Sequence, residues 1–138
     1  MPANLDAFIE ARRALPFAYF SQDCGHIAAD WVLEKTGSDP LVVLRGEGGP
    51  FESKRLLTAL RAVRAAGGFV ALGDELLGAH IAPLLAQRGD VVLILSGRPI
   101  RRVSGFTFGV CTGANIVVPD NDGLVFQPLS AGVAAWRV

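Results

Sequence analysis

An α+β fold is predicted for this chain, with N-terminal helices packed on a small antiparallel sheet. Three observations predict it. Apolar residues in the first half recur at helical spacing. From Gly89 onward the period changes to short apolar runs divided by turn residues. Helices therefore precede strands, an order that favours a meander over alternating parallel units. The length, 138 residues, suits one domain, 1–138, and 51% hydrophobic content can fill one core without disulfide or metal support.

Each element has its own warrant. Leu5, Phe8, Ile9 and the stretch from Arg12 to Leu15 give a short amphipathic helix, closed by Pro16. PFAYFSQ, residues 16–22, is an aromatic loop. Asp23 is an N-cap, and the helix opened by Cys24 buries Ile27, Ala28 and Trp31 before Gly37 stops it. Asp39 and Pro40 start a helical turn, and GEGGP, residues 46–50, is a loop. From Ser53 a helix runs to AAGG, with Leu56, Leu57, Leu60 and Val63 on one face and Lys54, Arg55, Arg61 and Arg64 elsewhere. GDVVLILSG then reads as a buried strand. VSGFTFGVCTG, NIVVP and GLVFQPL are three further strands, the last two joined by a turn at PDNDG, residues 119–123. AAWRV is a candidate edge strand at the C-terminus.

Composition removes several function classes. Thirteen basic and thirteen acidic side chains cancel, so nothing draws the chain generally to nucleic acid or an anionic membrane. MPANLDAFIEARR carries charges where a signal peptide would be apolar, and runs such as VVLIL are too short to span a bilayer, so no membrane anchor is expected. Cys24 and Cys111 do not make a disulfide framework and fit a reducing compartment. Two cysteines and two histidines without a paired spacing argue against a metal site, and no cofactor is expected. GEGGPF, residues 46–51, lacks the Lys-Ser/Thr of a phosphate loop, and PDNDG lacks most ligands of a calcium loop.

Cys24 is the residue with chemistry. A helix N-terminus supplies partial positive charge and free N–H groups, which favour a thiolate and can hold an oxyanion. The plain alternative is a small buried core residue. His26 cannot serve Cys24 as a base, because positions i and i+2 of one helix point about 200° apart; it is expected on the outer side of the helix. His80 lies in DELLGAHIAPLL and reads as a surface or helix-end histidine; the alternative is that the fold brings it near Cys24.

ALPFAYFSQDCGHIAADWVLEKTG, residues 14–37, resembles the opening of the NlpC-type cysteine peptidases, where an aromatic loop leads into Asp-Cys at a helix start. RGDVVLI, residues 88–94, resembles the family's Gly-Asp turn before its first central strand, and FGVCTGANIVV resembles the strand pair that follows. The ordered set of Asp23-Cys24, TGSDP, Arg45-Gly46 and Trp136 resembles a phage branch of that superfamily, encoded among tail genes. The resemblance implies a papain-like, NlpC-like fold, with Cys24 as nucleophile and a histidine on the strand after Gly89-Asp90. The matching stretch here is Thr107-Phe108-Gly109-Val110, and no histidine follows His80. Threonine cannot take a thiol proton near neutral pH, so the nucleophile–base pair is missing.

Two readings follow. In the first, the chain is a structural component of a phage tail tip or baseplate that keeps the fold and has lost hydrolysis. Its partners would then be other tail-tip or baseplate proteins of the hub and central-fibre type, and it would reside in the virion tail after synthesis in the host cytoplasm. In the second, it is an active cysteine peptidase cutting peptidoglycan with Cys24. The missing histidine favours the first. GRPIRR, residues 97–102, reads as a solvated hairpin loop or as a partner contact through Arg98, Arg101 and Arg102, and Trp136 either packs on the domain or meets a partner. These four are the expected partner contacts, since arginine and tryptophan often carry interface energy.

Overall fold

The computed structural model describes residues 3–95 and 105–138. Among these, five α-helices precede a five-stranded antiparallel sheet, so the α+β architecture and the order of its halves are as predicted. The helices are α1 (Leu5–Arg12), α2 (Cys24–Thr36), α3 (Val42–Arg45), α4 (Leu56–Ala65) and α5 (Phe69–Leu77). The strands are β1 (Val91–Leu95), β2 (Phe106–Cys111), β3 (Asn115–Asp120), β4 (Gly123–Pro128) and β5 (Gly132–Trp136). No single helix among the described residues is long and apolar enough to cross a membrane.

The strand order is β4-β3-β2-β1-β5. β1 to β4 form the expected meander, and β5 returns to the free side of β1. Only Leu129–Ala131 joins β4 to β5. Four chain steps reach at most about 14 Å, whereas four interstrand spacings of a flat sheet measure about 19 Å. The sheet must therefore curl so that its outer strands approach. Its two faces divide cleanly. Val92, Ile94, Cys111, Ile116, Val118 and Ala135 form one cluster. Val91, Leu93, Phe108, Ala134 and Trp136 turn the other way and pack against Ala28 and Val32 of α2. Val110 and Val117 meet Ile27 and Trp31 of α2 and Leu5, Phe8 and Ile9 of α1.

α2 is the pivot of the fold. Its ends are set by the residues the sequence marks: the Asp23 side chain accepts from the His26 N–H, and Gly37 closes the helix at φ 81°. The Trp31 indole donates to the Gly89 carbonyl at 2.9 Å, which ties α2 to the turn before β1. Buried Asp90 accepts from the Gln87 N–H at 2.8 Å and from the Val138 N–H at 3.3 Å. The Gly-Asp pair thus anchors both α2 and the C-terminal residue.

A second anchor explains the SDP and Arg-Gly stretches. Asp39 accepts from the Leu41 N–H at 2.9 Å and from Arg45 Nε at 2.8 Å. Arg45 also reaches Asp30 at 3.4 Å, and Asp30 lies 3.5 Å from Arg12. One network therefore joins α1, α2 and α3. Arg45→Ala is expected to cost about 1 kcal/mol, since all its members are partly solvated. The check is a urea midpoint lowered at unchanged slope; an unmoved midpoint would remove the network from the account of stability.

α5 departs from expectation, because the sequence reading stops its helix at Gly67-Gly68. Both glycines have positive φ, 102° and 108°, and a new helix begins immediately after them. Gly73 inside it obscures the helical pattern, since glycine is a poor helix former. Its reason is tertiary: a Cβ at Gly73 would sit 2.2 Å from the Trp136 ring. β5 is an edge strand as expected, but Ile81 pairs with Ala135 through two backbone hydrogen bonds and covers part of its edge.

Candidate functional site

The site is built where α2 begins. The loop before it turns at Phe20, which adopts φ 65°. This left-handed conformation is uncommon for an aromatic residue. The Phe20 N–H donates to Asp23 Oδ2 at 2.8 Å, and Asp23 Oδ1 accepts from the backbone N–H and from Nδ1 of His26, each at 2.8 Å. One carboxylate therefore closes the loop, caps the helix and orients an imidazole. Burial pushes the Asp23 carboxyl up, but the His26 side-chain and backbone hydrogen bonds outweigh it and hold the pKa below the usual value.

His26 overturns the outward placement expected of it. It is 5% exposed, with ring centroids of Phe20 and Phe51 at 5.8 and 5.9 Å. The spacing from Asp23 to His26 is that of an N-cap residue and the third helical position, where a side chain reaches back over the cap. That spacing is the signal that could have placed it. His26 is thus the partner of Asp23, and Asp23 Oδ1 is bound to its Nδ1.

Cys24, the first residue of α2, packs in the cluster formed by Phe108, Trp136 and the apolar face of α5. Desolvation pushes its thiol up to about 11; the neighbouring Asp23 charge adds to this, and the backbone amide of Phe108 opposes it. At neutral pH Cys24 is a thiol. β2 does run beside it, and Thr107 and Phe108 line the same space. What β2 packs against Cys24 is the Phe108 side chain.

His80 stands elsewhere. Its Nδ1 lies 2.9 and 3.0 Å from the two oxygens of Asp74, and its N–H donates to Asp74 Oδ1 at 2.9 Å. These hydrogen bonds, with that of the Trp136 indole, hold the half-buried Asp74 carboxyl below its usual pKa. His80 is not among the residues lining the space around Cys24.

That space is a cavity of about 320 Å³. It is walled by Cys24, Ala28 and Val32 of α2, Leu56, Leu60 and Val63 of α4, Phe69, Leu72 and Leu76 of α5, Phe106 and Phe108 of β2, and the aromatics of the loop before α2. The sequence reading misses it, because its walls come from segments far apart in the chain and the α5 contribution rests on a helix the glycines disguise.

Trp136 is corrected as a partner contact. It is fully buried, its indole donates to Asp74 Oδ1 at 3.0 Å, and its ring lies 5.7 Å from that of Phe108. A side chain enclosed by its own domain offers no surface. Arg98, Arg101 and Arg102 lie outside the described residues. Both cysteines are free, and Cys111 is buried on the opposite sheet face.

A family described as a domain of unknown function, DUF6950, matches residues 1–138. No curated protein matches the chain.

Proposed function

We propose, for a chain that belongs to the DUF6950 family, that it is a non-catalytic component of a phage tail tip or baseplate, built on a degenerate NlpC-like fold. The observation that carries the non-catalytic half is the setting of Cys24: it packs among Phe108, Trp136 and the apolar face of α5, which pushes its thiol pKa up, and the chain's two histidines are each bound to a carboxylate. Nucleophilic catalysis needs a thiolate and an adjacent base. An active peptidoglycan hydrolase would need both from groups this site does not bring together. The NlpC-like part is supported by the cysteine at a helix start, the helix packed on a meander, and β2 alongside it. The tail part is supported by the resemblance of Asp23-Cys24, TGSDP, Arg45-Gly46 and Trp136 to the phage branch, and its partners would be neighbouring tail proteins.

Two measurements test this. Alkylation of Cys24 in the folded protein is expected to be slow at neutral pH and to rise with a midpoint near 11, the thiol's raised pKa. Cys24→Ala is expected to leave any action on cell-wall fragments at the background level of wild type. Cell-wall turnover abolished by Cys24→Ala would establish the peptidase reading instead. Mass spectrometry of purified particles is expected to find the chain, and particles carrying Cys24→Ala to keep infectivity; its absence from particles would overturn the tail assignment.

A further inference from the structure

We infer that the cavity beside Cys24 is a binding site for an uncharged apolar ligand, alkyl or aromatic, with room for roughly two benzene rings. This goes beyond the structural role above and does not depend on it, since it rests on the size and lining of the cavity alone.

Size is the first reason. Protein interiors are packed to crystal-like density, with few voids larger than a water molecule. A dry apolar cavity of about 150 Å³ takes up benzene, and this one is about 320 Å³, within the range of ligand pockets. Tyr19 belongs to its lining and is 48% exposed, so the cavity reaches the surface.

Chemistry is the second reason. Apolar side chains make most of the wall, supplied by α2, α4, α5, β2 and the aromatic loop before α2. The ionisable pair there, Asp23 and His26, is joined by its own hydrogen bond, so neither is set to meet a ligand charge. A sugar or cell-wall peptide would lose its water here without replacement hydrogen bonds, at substantial cost. Ordered water needs two to four polar partners, which a wall of this kind does not supply. An uncharged apolar group has no hydrogen bonds to lose and gains dispersion contacts with the walls.

The test uses the full chain and phenylnaphthylamine, an uncharged fluorescent probe, beside its sulfonated analogue anilinonaphthalene sulfonate. Saturable binding of one phenylnaphthylamine per chain is expected, with the sulfonate weaker by about tenfold or more. Ala59→Leu and Val63→Phe add bulk to the wall; each is expected to keep the thermal midpoint and weaken the probe by about tenfold. A measurement on wild type alone guards against misfolded variants: saturating probe is expected to slow alkylation of Cys24 at alkaline pH, read at the Cys24 peptide. Absence of saturable binding, equal affinity for the sulfonate, undiminished binding by folded variants, or unprotected Cys24 would each overturn the site. None of these results bears on the missing base, so the site and the non-catalytic reading fail separately.

Discussion

Trp136→Ala is expected to destabilise the domain by about 3–5 kcal/mol, the range for truncating a large buried aromatic. The ring has no exposed surface and packs with Val91, Leu93, Phe108 and the face of α5. The truncation also removes the indole donor to Asp74. Gly73→Ala approaches the same contact from α5, because its Cβ would lie 2.2 Å from the ring. Either the helix or the indole must shift, and overpacking of this kind costs about 1–3 kcal/mol. Helix propensity acts the other way, favouring alanine by about 1 kcal/mol, so a net loss would show that the tertiary clash wins. Urea unfolding of both variants is the check. A loss under about 1 kcal/mol for Trp136→Ala would mean the ring is not held by this domain and would return it to the list of partner surfaces.

Trp136 also marks the boundary of what the residues reveal by themselves. A tryptophan two residues from the end of the chain looks like an interface anchor while its surroundings are unknown. Its burial follows from β5 returning to β1 and from α5 lying across it, and both are long-range events. The period of the strands was legible because each is a short apolar run bounded by turn residues, as in Val91–Leu95 between Gly89-Asp90 and Gly97. The ends of α2 were legible because Asp23 and Gly37 act locally, through one side-chain bond and one positive φ. α5 was not legible, since Gly73 makes sense only against a ring more than sixty positions away.

The candidate site divides in the same way. Cys24 at a helix start, and the lack of a histidine on β2, can be read from the order of residues. Its pKa cannot, because helix position favours the thiolate while desolvation opposes it, and only the packing of Phe108 and α5 decides between them. Burial wins by enough to reverse what a first-turn cysteine would suggest. The role of Arg45 follows a similar pattern: the SDP and Arg-Gly stretches could be read as motifs, but their purpose is the ion network through Asp30 to α1.

Asp23 is the residue whose loss should disturb the site most. Asp23→Ala removes the helix cap, worth about 1 kcal/mol, and leaves the Phe20 N–H and the His26 ring without their acceptor. An unmet buried donor costs about 1–3 kcal/mol, so a total near 3 kcal/mol is expected, less whatever water restores. Asp23→Asn separates these effects. Asparagine caps a helix as well as aspartate does, but its amide nitrogen would oppose either the Phe20 N–H or His26, so part of the loss remains. The pH dependence has a definite sign. The folded pKa of Asp23 lies below the ordinary value of 3.8, so its stabilisation is fully present above that value and lost as pH falls through the folded pKa. Wild type should therefore lose more stability on acidification below pH 3.8 than Asp23→Asn, which cannot titrate there. Urea midpoints of the two proteins across the acid range provide the comparison. Parallel curves would mean that Asp23 is no more stabilised as an anion in the folded chain than in the unfolded one, and that the bonds to Phe20 and His26 do not hold the start of α2.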